Sequence, residues 1–409
     1  MRFTPEKVRE QFHALAQIHN QMPVTFLDGP GGSQVPKQVI DAMGHYLGRY
    51  NSNLGGHYFS SQQTVDVMQK ARCSAQALLN AESKHNIVFG ANMTSLTFQL
   101  SRSISRDWQQ DDEVIVTALD HYSNVSSWQQ AADDKGVNVH QVRLDEHDCT
   151  LDIDHLETLI SNKTKLIAVT YASNTTGSMV DIERVVELAK RVNAMVYVDA
   201  VHCAPHHLID VQELGCDFLV CSAYKFFGPH LGIAYVSPKW LQRLQPYKVE
   251  PATELGPGRF ETGTQNFEAL AGFIETVNYL AQWAERSLTL RQRLIESFKQ
   301  YTEHEARLSE HFLLRLKEYP DITLFGINDP SSLKRTPTFA LRIKGIEPEL
   351  IARSLGEQNI CVWNGHFYAL GLVRQLGIEK EGGVVRVGFM HYNTFEEIDR
   401  FFDALAKLM

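Results

Sequence analysis

The stretch Asp217-Phe218-Leu219-Val220-Cys221-Ser222-Ala223-Tyr224-Lys225-Phe226-Phe227-Gly228-Pro229 decides how the rest of the chain is read. Residues 217–221 have the short apolar character of a buried strand. A lysine follows in aromatic company, just ahead of a Gly-Pro turn. Lysine is almost never fully buried without a partner or a task. Burial disfavours the ammonium form, so such a lysine sheds its proton near neutral pH and can act as nucleophile or base. The obvious use is a Schiff base with a carbonyl cofactor. The alternative is a lysine whose stem covers apolar surface while its head reaches water.

Working outward, the same kind of apolar run recurs. Strands are expected at 86–89, 114–117, 137–142, 166–171, 195–198, 218–221 and 233–236, with helical stretches at 95–106, 124–135, 154–161 and 182–192 between several of them. This alternation predicts an α/β fold with a mostly parallel sheet covered on both faces. In such sheets ligands bind beyond the carboxyl ends of the strands. Upstream, a polar helix is expected from Pro5 to about Asn20, then a strand at 24–27, a tight turn at Asp28-Gly29-Pro30-Gly31-Gly32, a helix from Pro36, a polar loop at 51–61 that contains His57, and a helix over 64–79. Beyond Asn266 come two long helical runs, then short strands at 322–325, 338–343, 360–363 and 384–389 with helices near 348–358 and 395–408. The expected organisation is an N-terminal segment, 1–24, packing with a small C-terminal α/β domain, 286–409, and a large domain over 25–285.

With 409 residues, 44% hydrophobic and 21% charged, the composition is that of an ordinary globular protein of two or three domains. No apolar run approaches the roughly 20 residues that cross a bilayer. The net charge of −9 argues against a general nucleic-acid binder. The 17 histidines show no metal-type spacing, and the six cysteines form no CxxC pair. That usage suits a reduced, cytoplasmic compartment.

The unusual residues cluster at the expected strand ends. Thr94 and Ser95 open a helix whose free N–H groups and hydroxyls suit a phosphate, or merely cap the helix. His121 could lie flat against an aromatic ring, or be a loop residue with one hydrogen bond. Asn174 can donate to a ring oxygen or a carboxylate, or serve as a turn residue. Asp199 ends an apolar run, so its charge needs a partner such as a protonated ring nitrogen, unless it is an N-cap. Lys225 comes 26 residues later, and 259–266 adds further hydroxyl and N–H donors.

Together and in this order, VDAxH at Asp199, SAYKFFGP at 222–229, RFETGTQN at 259–266 and VRVGFMHYNT at 385–394 resemble the class V aminotransferases of the fold-type I pyridoxal-phosphate (PLP) enzymes. The chain is most similar to the cysteine desulfurase and selenocysteine lyase branch, with kynureninase and isopenicillin N epimerase as relatives. The resemblance, running from about Leu27 to the C-terminus, implies a large PLP domain with a seven-stranded sheet and a small domain. It implies that Lys225 holds PLP and moves the Cα proton, that Asp199 keeps the ring nitrogen protonated, and that His121 stacks on the ring. Asn174 would reach the cofactor's O3′ and the substrate. Thr94, Ser95, Ser222 and His202 would complete the cofactor seat, with Thr264 arriving from the second subunit of a homodimer. Arg386 would clamp the substrate carboxylate, a task for a planar bidentate fork, and His57 and Tyr368 would border the substrate.

Two departures qualify this. Tyr224 precedes the lysine where the family has His. Desulfurases of this branch carry a mobile cysteine after an Arg-Thr-Gly-His-His stretch; here Trp363-Asn364-Gly365-His366-Phe367-Tyr368 stands there, with Tyr368 in the cysteine's place. A phenol cannot form a persulfide, and Cys361 lies in an expected strand. The resemblance therefore implies Cα deprotonation of an amino acid followed by β-elimination at a C–S bond, rather than desulfuration onto a cysteine. The alternatives are an aminotransferase or epimerase, for which Trp363 and Phe367 suit a bulkier substrate, and a non-catalytic PLP-fold protein. The sequence names no sulfur acceptor.

Overall fold

The computed structural model describes residues 3–409. Seven strands, β1 (Ile87–Gly90), β2 (Glu113–Thr117), β3 (Asn138–Val142), β4 (Thr164–Thr170), β5 (Met195–Asp199), β6 (Phe218–Ser222) and β7 (Gly232–Val236), form one sheet in the order β1-β7-β6-β5-β4-β2-β3. Only β7 runs against its neighbours β1 and β6; the other pairings are parallel. Successive side chains point to opposite faces, and both faces are apolar. Val88, Val116, Ala168, Tyr197 and Val220 face one core with the helices Met93–Ile104 and Ser123–Asp133. Phe89, Ile115, Val169, Val198 and Cys221 face the other. Burial on both sides explains why six of these strands read as apolar runs rather than as alternating ones, while the edge strand β3 is only partly buried.

A second sheet is wholly antiparallel: β8 (Ile322–Phe325), β9 (Thr338–Ile343), β10 (Trp363–Gly365) and β11 (Val384–Gly388), in the order β8-β9-β11-β10. Phe312, Phe339, Phe389, Phe401 and Phe402 pack in one cluster behind it. The 27-residue helix Leu290–Leu316 begins at a capping box of Thr289 and Gln292 and is about 40 Å long. Its first half (Leu294, Phe298, Tyr301) belongs to the core of the large sheet, and its second half (Leu308, Phe312) to that of the small one. One rigid element thus spans both layers and fixes the cleft between them.

The N-terminal segment departs from the sequence expectation. The helix covers only Pro5–Arg9, and a two-stranded hairpin follows, Ile18–His19 with Met22–Pro23. Phe12 leaves the helical path to pack against Phe227, Tyr279 and Tyr392, while Asn20 and Gln21 both take left-handed conformations at the hairpin turn. Tertiary burial of one aromatic ring overrides a polar helical pattern. Thr25–Phe26 then pairs in parallel with Ile360–Cys361, and Asp28 bridges Gly388, so the turn Asp28–Gly32 is held against the small sheet. Among the described residues no helix is long and apolar enough to cross a membrane, and no cluster of His, Cys, Asp or Glu is arranged to hold a metal.

Candidate active site

The carboxyl ends of the parallel strands and the turn at Pro30 enclose a cavity of about 580 Å³. Thr94, Ser95, His121, Asn174, Asp199, His202, Ser222 and Lys225 all line it. Residues far apart in sequence meet there because they follow, or end, five strands of one sheet: β1, β2, β4, β5 and β6.

Lys225 lies in a short turn directly after β6. Its Nζ donates to the Pro30 carbonyl oxygen at 2.6 Å. Burial, reinforced by the positive Arg386, pulls its pKa down to about 7, against the opposing pull of Asp199 and Asp28. Asp199 ends β5 and accepts the Val201 N–H at 2.9 Å. Burial pushes its carboxyl up to about 6. It forms no ion pair within 4 Å among the described residues, so the cavity presents a buried carboxylate still in want of a cation.

His121 sits in the turn between β2 and the helix Ser123–Asp133. Its Nδ1 accepts the Ser123 N–H at 3.1 Å and lies 2.7 Å from Ser123 Oγ, which leaves the ring proton on Nε2. Burial, then Lys225 and Arg386, lower its pKa to about 4, so it is neutral. The turn is stiffened by Asp120, buried and bonded to Thr117 and Asn124. On the other wall, Asn92 caps the helix Met93–Ile104 through Ser95 N–H (2.9 Å), and the Met93 N–H donates to Ser222 Oγ (2.9 Å). Thr94 and Ser95 stand exposed in that first turn. His202 is tied by Nε2 to Thr338 Oγ1 and Thr336 Oγ1 at 3.0 and 3.1 Å, and burial keeps it neutral.

Arg386, from β11, is buried behind the lining. Its Nη1 donates to the Asn174 carbonyl oxygen at 2.7 Å, its guanidinium lies 4.0 Å from the centre of the Phe367 ring, and its Nε has no partner. Asn174 Nδ2 donates to the Phe367 carbonyl oxygen at 2.9 Å, leaving a buried Oδ1 unpaired. Asp28, singled out in the sequence only as part of a turn, is a further site residue. Burial pushes its carboxyl up to about 6 while Arg386 and Lys225 pull the other way, and its Oδ1 is buried without a partner. It ends an apolar run just as Asp199 does, and the same rule would have found it. Tyr368 stacks on His121 at 5.1 Å and 29°. His57 is exposed and outside the cavity lining. Thr264 lines an adjoining depression that shares Ser95 and His230 with the main cavity.

The geometry of this site depends on one glycine. Gly177 closes the turn that presents Asn174, with φ of 78°, and a Cβ there would meet the carbonyl oxygens of Thr338 and Thr336 at 2.7 and 2.8 Å. Gly177→Ala is expected to destabilise the fold by about 2 kcal/mol or more, read as a lowered urea midpoint.

A lysine with a lowered pKa, a buried carboxylate awaiting a cation, a flat neutral imidazole and an open helix N-terminus fit PLP: amine to aldehyde, carboxylate to ring nitrogen, ring to ring, N–H groups to phosphate. The family model for aminotransferase class V matches residues 25–401. The chain belongs to the class V aminotransferases. A probable cysteine desulfurase of Halalkalibacterium halodurans is 30% identical over 98% of this chain and 97% of its own length. A cysteine desulfurase of Salmonella agona is 29% identical over 100% and 99%. The apo cysteine desulfurase of Thermococcus onnurineus NA1 superposes with a TM-score of 0.88 over 100% of this chain and 99% of that one, at 24% identity, which speaks for the fold. This class V chain is accordingly a cysteine desulfurase-like, PLP-dependent enzyme.

Proposed function

We propose that the enzyme cleaves the C–S bond of a cysteine-derived amino acid by β-elimination and does not pass sulfur to a cysteine of its own. The observation that carries this reading is the absence of a usable thiol. Cys149, Cys203, Cys216 and Cys221 are buried, Cys73 is exposed, and no cysteine lines the cavity. Cys361, the one thiol near Asp28, is half-buried in a strand, and burial pushes its pKa up to about 11. The nucleophile in sulfur transfer is the thiolate, which Cys361 barely populates at neutral pH.

PLP, when bound, supplies an electron-withdrawing ring that acidifies the amino acid's Cα. Asp199 would hold a proton at the ring nitrogen. His121 would cover the ring's face, Thr94 and Ser95 would meet the phosphate, and Asn174, with Arg386 bonded behind it, would orient the substrate carboxylate. Lys225 Nζ takes the Cα proton, the Cβ–S bond breaks with its electron pair on sulfur, and the product enamine hydrolyses to pyruvate and ammonia. Thr264 completes the phosphate seat from a second copy of the chain.

The test is product analysis with L-cysteine. Pyruvate and sulfide in equal amounts are expected, with no protein-bound sulfur, and Cys361→Ala should keep the rate within about twofold. Alanine and a protein persulfide lost in Cys361→Ala would overturn the reading. A pH profile adds an independent check. Below pH 7 the Lys225 amine is protonated and cannot attack an aldehyde; above it the amine is free. Uptake of PLP by apoprotein, followed by visible absorption, is therefore expected to rise with pH and level off near 7, whereas an ordinary lysine would place that point near 10.

A further inference from the structure

The segment that replaces the desulfurase cysteine is built as a fixed aromatic wall. Phe367 and Tyr368 both adopt left-handed backbone conformations, φ 51° and 59°, which side chains of this size rarely take. They are held by cross-connections. The Phe367 carbonyl accepts from Asn174 and its ring lies under Arg386. The Tyr368 carbonyl accepts the Tyr122 N–H at 2.8 Å and its ring stacks on His121. Trp363 stands directly opposite Arg386 in the antiparallel pair of β10 and β11, so the two side chains share a face of the sheet. Its indole nitrogen lies 2.6 Å from where a side chain on Gly31 would begin, beside the cavity-lining Pro30. Yet Trp363 and Tyr368 remain 53% and 65% exposed. Neither ring lines the cavity itself, but Tyr368 stacks on the lining His121 and Trp363 lies against Gly31 beside the lining Pro30, so two exposed rings flank residues of one cavity and offer an apolar surface next to it.

Resting on the elimination reading, we propose that the substrates are S-substituted cysteines whose bulky apolar or aromatic thioether group lies between Trp363 and Tyr368, with free cysteine a poor substrate. The carboxylate is then held on the Arg386 side and the sulfur substituent points toward solvent along the two rings. The reaction balances without an oxidant. The Cα–H bond gives its proton to Lys225, the Cβ–S bond leaves as a thiolate that is protonated to the free thiol, and one water converts the enamine to pyruvate and ammonia.

The experiment compares S-phenyl-L-cysteine with L-cysteine for pyruvate release by the holoenzyme. Alongside it, calorimetry compares binding of L-homophenylalanine, which has no leaving group, with that of L-alanine. The aryl compound is expected to lead by about tenfold or more in kcat/KM, and homophenylalanine to bind about tenfold tighter. Both margins should shrink several-fold in Trp363→Ala and in Tyr368→Ala, with unchanged visible spectra reporting that PLP is seated. Pyruvate released as readily from cysteine, with margins indifferent to both substitutions, overturns the specificity while leaving elimination intact. Pyruvate from neither compound overturns elimination; the homophenylalanine margin, and its dependence on Trp363, then decides the aromatic wall by itself.

Discussion

Lys225→Ala is expected to lower turnover by about 10³-fold or more, the scale of losing a positioned proton carrier, while the protein stays folded. The lysine's stem runs through the cavity wall and its Nζ has one hydrogen bond, to Pro30. Alanine therefore removes chemistry and little packing. The same change removes the amine proposed to attach PLP, so cofactor should be lost on gel filtration from the variant and retained by the parent. Lys225→Arg is expected to be as inactive, because a guanidinium does not lose its proton near neutrality. Small primary amines added in solution should restore part of the activity of Lys225→Ala, which distinguishes a missing base from a damaged fold. Retention of more than a tenth of the activity in the alanine variant would remove Lys225 from its proposed role.

Much of this arrangement was legible in the sequence, for a physical reason. Except at its edge strand β3, the large sheet is buried on both faces, so its strands announce themselves as short apolar runs, and the observed bounds differ from the expected ones by a residue or two. Lys225 and Asp199 are legible because a charge at the end of such a run is costly unless it has a partner. What escaped reading depends on long-range packing. The helix expected to reach Asn20 stops at Arg9 because Phe12 is drawn into the junction with Phe227 and Tyr279. The left-handed pair Phe367 and Tyr368 has no local signature, since neither residue favours that conformation. His57 lies in the expected loop, exposed and not among the cavity's lining residues, and a loop's composition does not say which way it turns.

Asp199 makes the second large prediction, because its two states pull in opposite directions. In the apoprotein the carboxyl is buried without a cation and its pKa is raised to about 6. An acid whose folded pKa lies above its unfolded value holds its proton more tightly when folded. Stability therefore falls as pH rises from about 4 to about 6 and stays lower above that. Apo Asp199→Asn is thus expected to be the more stable protein above pH 6, by a few kcal/mol at most, and to match the parent near pH 4. With PLP bound the order should reverse. In the proposed arrangement the carboxylate then faces a protonated ring nitrogen, an interaction that asparagine cannot replace, so the parent should gain more stability from PLP than the variant does. The same loss leaves the ring a poorer electron acceptor, and kcat is expected to fall by about 10²- to 10³-fold. Urea midpoints with and without PLP, at pH 4.5 and 7.5, measure the crossover directly. If Asp199→Asn lowers the midpoint equally in all four conditions, the carboxylate is a structural cap on Val201, and the cofactor argument loses its electrostatic half.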